Sequence, residues 1–381
     1  ALPISKTADK VAGVFVPVVI VIALAALIVW LLAGEGFAFA LKVFTSVLVI
    51  ACPCAMGLAT PTAIIVGTGL GAQHGILIRS GEALETTHKI AVCVLDKTGT
   101  VTEGKPRVTK LVSREMKEND FLALAASAEA LSGHPLAKAV TEEAAARNLA
   151  PAPAPASFED LPGRGIRAAT ADGKTLLIGN RRLMEGERVD ISTLEADVTS
   201  LTAEGQTALL VALDGKALGL LAVADTVKPT SRAAIGKLRA MGVRTVLLTG
   251  DNRAAAEHIG GLVGVDEVVA EVLPGEKAAQ VERLQKDGAV VMMVGDGIND
   301  APALAQADVR CAIGNGSDIA IESADVVLMK NDLNDVPAAV KLSRLTITNI
   351  KQNLFWAFCY NTLGIPVAAG VLYPAFHILL S

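Results

Sequence analysis

The sequence predicts an α/β protein in which a parallel sheet is interrupted by an inserted α+β domain and flanked by membrane-crossing helices. Three observations carry that prediction. The runs Val11 to Ala33, Val43 to Gln73 and Leu354 to Ser381 hold no charged residue, and His377 is their single titratable nitrogen. Three β-rich runs in the polar middle, Ile90 to Leu95, Val243 to Leu248 and Ala289 to Val294, each end in a loop rich in Asp, Gly or Thr. Between the first and second of these lies a stretch from about Thr109 to Val223 that breaks the strand and helix rhythm.

Composition agrees with a membrane protein. Of 381 residues, 52% are hydrophobic and only 3% aromatic, and the mean hydropathy is +0.48, too apolar for an ordinary soluble chain of this length. The net charge of −5 and the lack of a basic stripe argue against nucleic acid as a partner. The five cysteines are odd in number and sit mostly in apolar runs, which points to a reducing compartment and not to a disulfide framework.

The first two apolar runs read as a hairpin through a lipid bilayer. Each is long enough to cross it, with Gly34, Glu35 and Gly36 at the outer turn and Lys6, Lys10 and Arg79 on the other side. The excess of positive charge there places the polar middle in the cytoplasm. No cleavable signal precedes the first run. The second run contains Cys52, Pro53 and Cys54. Residues two apart on an intact helix point about 200° from each other, so both thiols reach one ion only if the helix is broken. Pro53 removes a backbone hydrogen bond and bends it. Two thiolates in a dry site favour a soft ion, Cu(I) or Ag(I) first, then Zn²⁺ and Cd²⁺.

Next comes the strand ending at Asp96, followed by Lys97, Thr98, Gly99, Thr100, Val101 and Thr102. A carboxylate at the end of a buried parallel strand stands where α/β folds carry their chemistry. It can attack the γ-phosphate of ATP and hold the phosphoryl group, while the following hydroxyls and amides serve the phosphate oxygens. The later strands run into Thr249, Gly250, Asp251 and into Gly295, Asp296, Gly297, Ile298, Asn299, Asp300, with helices at Ser231 to Met241 and Gly275 to Lys286 between. Asp96 and Asp296 are hard oxygen ligands suited to Mg²⁺, which needs few protein groups. Lys277 is placed to neutralise a transferring phosphoryl group, with Thr98 and Thr249 donating to its oxygens and Asn299 and Asp300 ordering the loop. In the inserted stretch, Pro151, Pro153 and Pro155 alternate with Ala as a stiff connection.

Together these segments resemble the phosphorylation domain of P-type ATPases, itself similar to the haloacid-dehalogenase fold. The resemblance implies Asp96 as nucleophile, Thr98 and Asp296 at the magnesium, and Lys97, Thr249, Asp251, Lys277, Asn299 and Asp300 as the rest of the catalytic set. In related soluble phosphatases a second Asp stands two positions after the nucleophile as acid and base; here Thr98 takes that position, which implies a longer-lived acyl phosphate. Glu129, His134 in Ser132, Gly133, His134, Pro135, then Gly163 and Gly165 resemble the nucleotide-binding domain of heavy-metal pumps, which implies adenine and phosphate contacts for these four, and Asn180 matches a further position of that nucleotide-binding set.

In the third run, Tyr360 and Asn361, together with Gly57, Leu58, Ala59, Thr60 and Pro61, resemble the copper(I) branch of that family. The zinc and cadmium branch is expected to show a Lys in this helix, and none occurs between Leu354 and Ser381. Cys52, Cys54, Tyr360 and Asn361 are therefore the expected copper ligands. This third run reaches a turn near Tyr373 and Pro374 and starts a return helix.

The resulting layout is a membrane hairpin at 1–80, a phosphorylation domain at 81–108 and 224–344, a nucleotide-binding insertion at 109–223 and a membrane segment at 345–381. The chain reads as a fragment of an integral membrane protein, placed by this resemblance in a bacterial plasma membrane. Amino-terminal metal-binding domains, earlier membrane helices and the actuator domain with its Thr-Gly-Glu loop are missing from it. The implied partners are the bilayer, ATP, Mg²⁺, copper(I) and a cytoplasmic copper chaperone. His74, Arg310 and Cys311 depart from the family pattern. The expected activity is ATP-driven copper(I) export through an aspartyl phosphate. A zinc or cadmium pump, a membrane-tethered phosphatase and a non-cycling binding fragment are the alternatives.

Overall fold

A computed structural model describes residues 3–51, 54–150, 152–286, 288–296, 300–314, 322–377 and 379, without the side chains of 3–12, 54–56 and 274. The chain divides into two compact units, Ala1–Ile90 with Asp325–Met329 and Ala338–Ser381, and Ala91–Ala324 with Lys330–Pro337.

The first unit opens with helices α1 (Pro3–Leu32), α2 (Phe37–Ile50) and α3 (Cys54–Gln73), then strand β1 (Ile76–Ile78) and helix α4 (Gly81–Thr87). Gly34 makes the turn between α1 and α2 at φ +89°, with open space around it, so glycine serves the backbone conformation there. Val19, Ala23, Val47, Ala51, Ile365 and Ala368 form a shared apolar core. The closest approaches are made by small residues. A Cβ on Gly67 would lie 2.5 Å from the Thr346 hydroxyl, and one on Gly71 would lie 2.8 Å from the Ile76 carbonyl. β1 pairs antiparallel with the strand Val326–Leu328, and the Ser80 hydroxyl caps α4 by accepting from the Ala83 amide at 3.0 Å.

Three charge-free runs differ in the structure from three crossing helices. Among the described residues, one helix, Gly13–Leu32, is long and apolar enough to cross a bilayer, with mean hydropathy 3.1. The second run divides, α2 ending at Ile50 and α3 starting at Cys54; a proline cannot donate to the preceding turn and disfavours helix in the residue before it. The third run belongs to a helix, Asp335–Ala368, whose first turns are polar. Its turn comes earlier than Tyr373: Gly370 takes φ +85° under the Trp30 ring, the Trp30 indole N–H donates to the Ala369 carbonyl at 2.9 Å, and Pro374 lies inside a short helix, Tyr373–Phe376.

The second unit begins with β2 (Val92–Asp96). It is then diverted into β3 (Thr102–Ser113), α5 (Glu118–Glu129), α6 (Pro135–Ala146), β4 (Ser157–Leu161), β5 (Gly165–Ala169) and β6 (Thr175–Gly179). α7 (Arg181–Gly186), α8 (Glu195–Ala203), β7 (Thr207–Leu213) and β8 (Lys216–Val227) complete the diversion. The chain returns through α9 (Ser231–Ala240), β9 (Arg244–Leu248), α10 (Arg253–Val263), β10 (Glu267–Val269), α11 (Lys277–Gln285), β11 (Val291–Gly295), α12 (Ala301–Gln306) and β12 (Val309–Ile313).

β2 is central to a parallel sheet, flanked by β9 and β11, with Asp96 opposite Leu248 and Leu95 opposite Val294. All five residues of β2 are buried, and so are all five of β11. Strands covered on both faces read as continuous apolar runs, which is how they were visible in the sequence. Parallel alignment brings the carboxyl ends of β2, β9 and β11 to one edge.

The diversion builds its own six-stranded antiparallel sheet in the order β3-β8-β7-β6-β5-β4. Successive strand residues serve opposite faces. Leu176, Ile178, Leu209 and Val211 pack with Phe121, Leu122 and Val140 of α5 and α6, whereas Leu177, Leu210 and Ala212 pack with Leu183, Val198 and Leu201 of α7 and α8. Because β3 starts at Thr102 and β8 runs to Val227, the two linking strands extend beyond the positions 109 and 223 expected for the insertion.

Candidate active site

Asp96 ends β2 at the sheet edge, and the chain behind it turns through Gly99 at φ +73°. Asp96 is 5% exposed. Lys277, at the first position of α11, donates from its ammonium to Asp96 Oδ1 at 2.7 Å and to Asp300 Oδ1 at 2.5 Å. Asp300 precedes α12, so one cation on a helix start joins two carboxylates from two other segments. Burial, the Asp300 charge and, opposing them, Lys277 set the Asp96 carboxyl at about 6. Asp300 is also raised, chiefly by burial, against the pull of Lys277. Burial works to discharge Lys277, but the Asp96 and Asp300 carboxylates outweigh it and hold it protonated. At neutral pH Asp96 is thus an anion close to losing its charge, next to a fixed cation.

Glycine is needed where the loops meet. A Cβ on Gly99 would lie 3.1 Å from Asp296 Oδ2, and one on Gly295 would lie 2.7 Å from Asp300 Oδ2. Asp296 therefore faces the loop that follows Asp96. Thr98 is exposed, while Thr249 is buried and accepts from the Asp251 amide at 3.1 Å. Asp251 pairs with Lys97. Of the predicted catalytic set, Asn299 lies outside the described residues. Among the described residues no group of three or more His, Cys, Asp or Glu side chains is arranged to hold a metal. The acidic oxygens of Asp96 and Asp296 fit Mg²⁺, which would need few protein ligands beside phosphate and water, and the lack of a side chain at Gly99, where a Cβ would lie 3.1 Å from Asp296 Oδ2, leaves the loop backbone open to Asp296.

Sequence reasoning missed a second set of groups behind the loop. Asp225 accepts from the Thr102 hydroxyl and, at 2.9 Å, from the Gly104 amide. Lys228 donates to the Gly99 carbonyl at 2.7 Å and Ser231 to the Val101 carbonyl at 2.7 Å. Their three-residue spacing was the available signal, and alone it is unremarkable in a turn leading into a helix.

The five nucleotide-binding candidates, Glu129, His134, Gly163, Gly165 and Asn180, line a single cavity of about 250 Å³, together with Asp160, Arg164 and the apolar Leu136, Ile166 and Ile178 among others. Local structure explains their identities. His134 caps α6, its Nδ1 accepting from the Leu136 amide at 3.2 Å, so in the neutral ring the proton sits on Nε2. Asn180 caps α7 through the Leu183 amide at 3.2 Å and donates to the Gly163 carbonyl at 2.9 Å, fixing the loop that forms the cavity rim. β5 and β6 touch so closely that a Cβ on Gly165 would meet the Ile178 carbonyl at 2.1 Å and one on Gly179 the Arg164 carbonyl at 2.2 Å. Burial, then the Asp160 charge, raise Glu129 to about 7.

The expected transport ligands are not brought together by described geometry. Cys52 lies outside the described residues, and Cys54 begins α3 without a described side chain. On the helix Asp335–Ala368, Asn361 is buried and Tyr360 is exposed.

The model of the haloacid dehalogenase-like hydrolases matches residues 90–308, the span that holds β2, β9, β11 and every described catalytic candidate. The chain belongs to the haloacid dehalogenase-like hydrolase family. The chain is 51% identical over 376 residues to the copper-exporting P-type ATPase of Bacillus subtilis (strain 168), covering 98% of this chain and 47% of that protein. It is 50% identical over 383 residues to copper-transporting ATPase 2 of Rhizobium meliloti (strain 1021), covering 100% and 46%. The chain thus spans about half the length of the curated relatives it matches. Among solved structures it is similar to a zinc-transporting PIB-type ATPase in the E2.Pi state, with TM-score 0.82 and 34% identity over 98% of this chain and 64% of that one. A CPx-ATPase catalytic domain, described upon nucleotide binding, matches with TM-score 0.56 and 28% identity over 72% of this chain and 98% of that one. The structural likeness to the zinc-transporting PIB-type ATPase thus extends over nearly the whole of this haloacid dehalogenase-like chain.

Proposed function

We propose that this chain is the catalytic unit and part of the metal path of a copper(I)-exporting P-type ATPase, in which Asp96 receives the γ-phosphoryl group of ATP. The observation that carries this reading is the buried Lys277 ammonium 2.7 Å from Asp96 at the edge where three parallel strands end. An Asp96 oxygen attacks the γ-phosphorus, the bond to the ADP leaving oxygen breaks, and the phosphoryl group remains on the carboxylate. Lys277 and the Thr98 and Thr249 hydroxyls face the charge spread over the phosphoryl oxygens. Asp96, Thr98 and Asp296 would hold Mg²⁺, which would supply charge neutralisation for the phosphates. The adenine end is assigned to the Glu129 and His134 cavity, where apolar Leu136, Ile166 and Ile178 offer a stacking surface and Gly163 and Gly165 let backbone approach.

Cu(I) is the cargo, taken by Cys52 and Cys54 with Tyr360 and Asn361. The copper names of the relatives near 50% identity favour this ion, while the structural likeness to a zinc transporter keeps a zinc or cadmium pump as the competitor. Export from a cytoplasm across a bacterial plasma membrane, with copper delivered by a chaperone, completes the reading.

Acid-stable, hydroxylamine-sensitive label from γ-labelled ATP tests it. Label on wild type that is lost in Asp96→Asn and stimulated by Cu(I) supports the copper pump, and stimulation by Zn²⁺ alone moves the assignment to the zinc branch. Rapid turnover of small phosphate esters without a persistent label points instead to a phosphatase. ATP binding without label leaves a non-cycling fragment.

A further inference from the structure

We infer that Lys228 is a positioning residue for phosphoryl transfer to Asp96: its ammonium fixes the Gly99 carbonyl of the acceptor loop and ties that loop to Asn331. This deepens the proposed function and rests on Asp96 being the phosphoryl acceptor.

Lys228 is only 4% exposed. A lysine withdrawn from water without purpose is costly, and an apolar residue of similar length would fill the space more cheaply. Its direct partners are neutral: the Gly99 carbonyl at 2.7 Å and Asn331 Oδ1 at 2.5 Å. The ion is therefore used to hold backbone, not to satisfy a carboxylate. The nearby charges are Asp225, Asp332, Glu103 and Asp296, which keep the ammonium favourable, and burial is what pulls its proton affinity down to about 8.

The geometry explains why a holder is needed. Gly99 stands at φ +73°, so the chain reverses three residues after Asp96 and its carbonyls leave the strand ladder. Each then needs a partner. The Val101 carbonyl accepts from the Lys228 amide at 3.0 Å and the Ser231 hydroxyl at 2.7 Å, and Asp225 holds Thr102 and Gly104. Asp225, Lys228 and Ser231 form one cradle under the loop, and of the three only Lys228 reaches Gly99, the residue that faces Asp296. On its far side, Asn331 packs against Gly314, where a Cβ would lie 2.9 Å from Asn331 Oδ1, and the helix Asp335–Ala368 starts a few residues on. A misplacement of about 1 Å at a reacting group can cost ~100-fold in rate, so a loop free to relax at Gly99 has a direct effect on transfer to Asp96.

The test uses the full 381-residue chain in detergent with Mg²⁺ and γ-labelled ATP, comparing wild type, Lys228→Gln and Lys228→Arg. The initial labelling rate at saturating ATP is expected to fall about 10- to 100-fold in Lys228→Gln, with the half-saturating ATP concentration unchanged, because the nucleotide cavity contains no residue of the cradle. Lys228→Arg, which keeps a long, charged donor where the glutamine amide is one atom shorter and neutral, recovers most of the rate. Amide hydrogen exchange of residues 97–104 is expected to speed up in Lys228→Gln and not in Lys228→Arg. Equal labelling rates in wild type and Lys228→Gln overturn the proposal. So does a rate loss accompanied by global unfolding in exchange and not repaired by arginine. If wild type itself takes no label, the acceptor reading fails and the catalytic part of this proposal fails with it; unchanged exchange at 97–104 would then remove the positioning part as well.

Discussion

At the residue scale, the site is governed by a few buried ionisable groups. Lys277 is the cation whose loss leaves Asp96 and Asp300 as two buried carboxylates in mutual repulsion. Lys277→Met is expected to lower the phosphorylation rate by about 10²- to 10³-fold, measured as initial acid-stable label at saturating ATP. In the proposed transfer Asp96 attacks as an anion, and burial raises its carboxyl to about 6. The labelling rate should therefore rise with pH through about 6, and a flat profile from pH 5 to 7 would contradict that protonation state. Glu129 offers a stability test. Its folded carboxyl sits at about 7 against an ordinary 4.5, first through burial and then through Asp160. The folded state thus binds more protons than the unfolded one between these values, and stability falls as pH rises across that window. Glu129→Gln should remove the decline and gain roughly 2 kcal/mol at pH 8, read from denaturant melts at pH 5 and pH 8.

At the scale of elements, the decisive contacts are backbone to backbone. β5 and β6 approach closely at Gly165 and Gly179, and Gly165 also stands at φ +140°, where a side chain is strained. Gly165→Ala is expected to cost about 2 to 3 kcal/mol and to weaken nucleotide binding, because the strand pair forms one wall of the cavity. Gly186→Ala is the control: nothing lies within 4 Å of its Cβ position, so its effect should stay within about 0.5 kcal/mol. Thermal melts with and without a nonhydrolysable ATP analogue separate the two variants. The strands β2 and β11 were legible in the sequence because burial on both faces leaves a nearly uninterrupted apolar run, and β9, with Arg244 exposed at its start, from its β-rich run into Thr249, Gly250 and Asp251. The turn at Ala369 and Gly370 was not, since Tyr373 and Pro374 gave the stronger local signal and the Trp30 contact that shapes the turn comes from the far end of the chain.

At the scale of the whole molecule, energy taken from nucleotide is proposed to act on an ion held elsewhere. Replacing Cys52 and Cys54 by Ser is expected to abolish metal-stimulated labelling while changing nucleotide affinity less than about twofold, because additivity holds for separate sites. Metal-stimulated label that survives the double replacement would remove the thiols from the ion path. The likeness to metal-transporting P-type ATPases extends over 98% of this chain, whereas the chain covers about half of the curated relatives. Pumping by the longer proteins is therefore a proposal for this chain, and its membership of the haloacid dehalogenase-like hydrolases is not.

Sequence by itself determined the order of the candidate groups along the chain: Asp96 at a strand end, the later Thr249, Lys277 and Asp296 loops, the cluster from Glu129 to Asn180, and the two cysteines around Pro53. These signals are local, because strand burial, turn residues and proline each act within a few positions. Tertiary structure alone decided that Lys277 bridges Asp96 and Asp300, that Asn180 secures the cavity rim, and that Lys228 reaches from beyond the insertion to Gly99. Those contacts join residues up to 181 positions apart. The partners of Lys277 and Lys228 are set by how parallel strands align at one edge, and that of Asn180 by the antiparallel pairing of β5 with β6, properties of packing that no local pattern encodes.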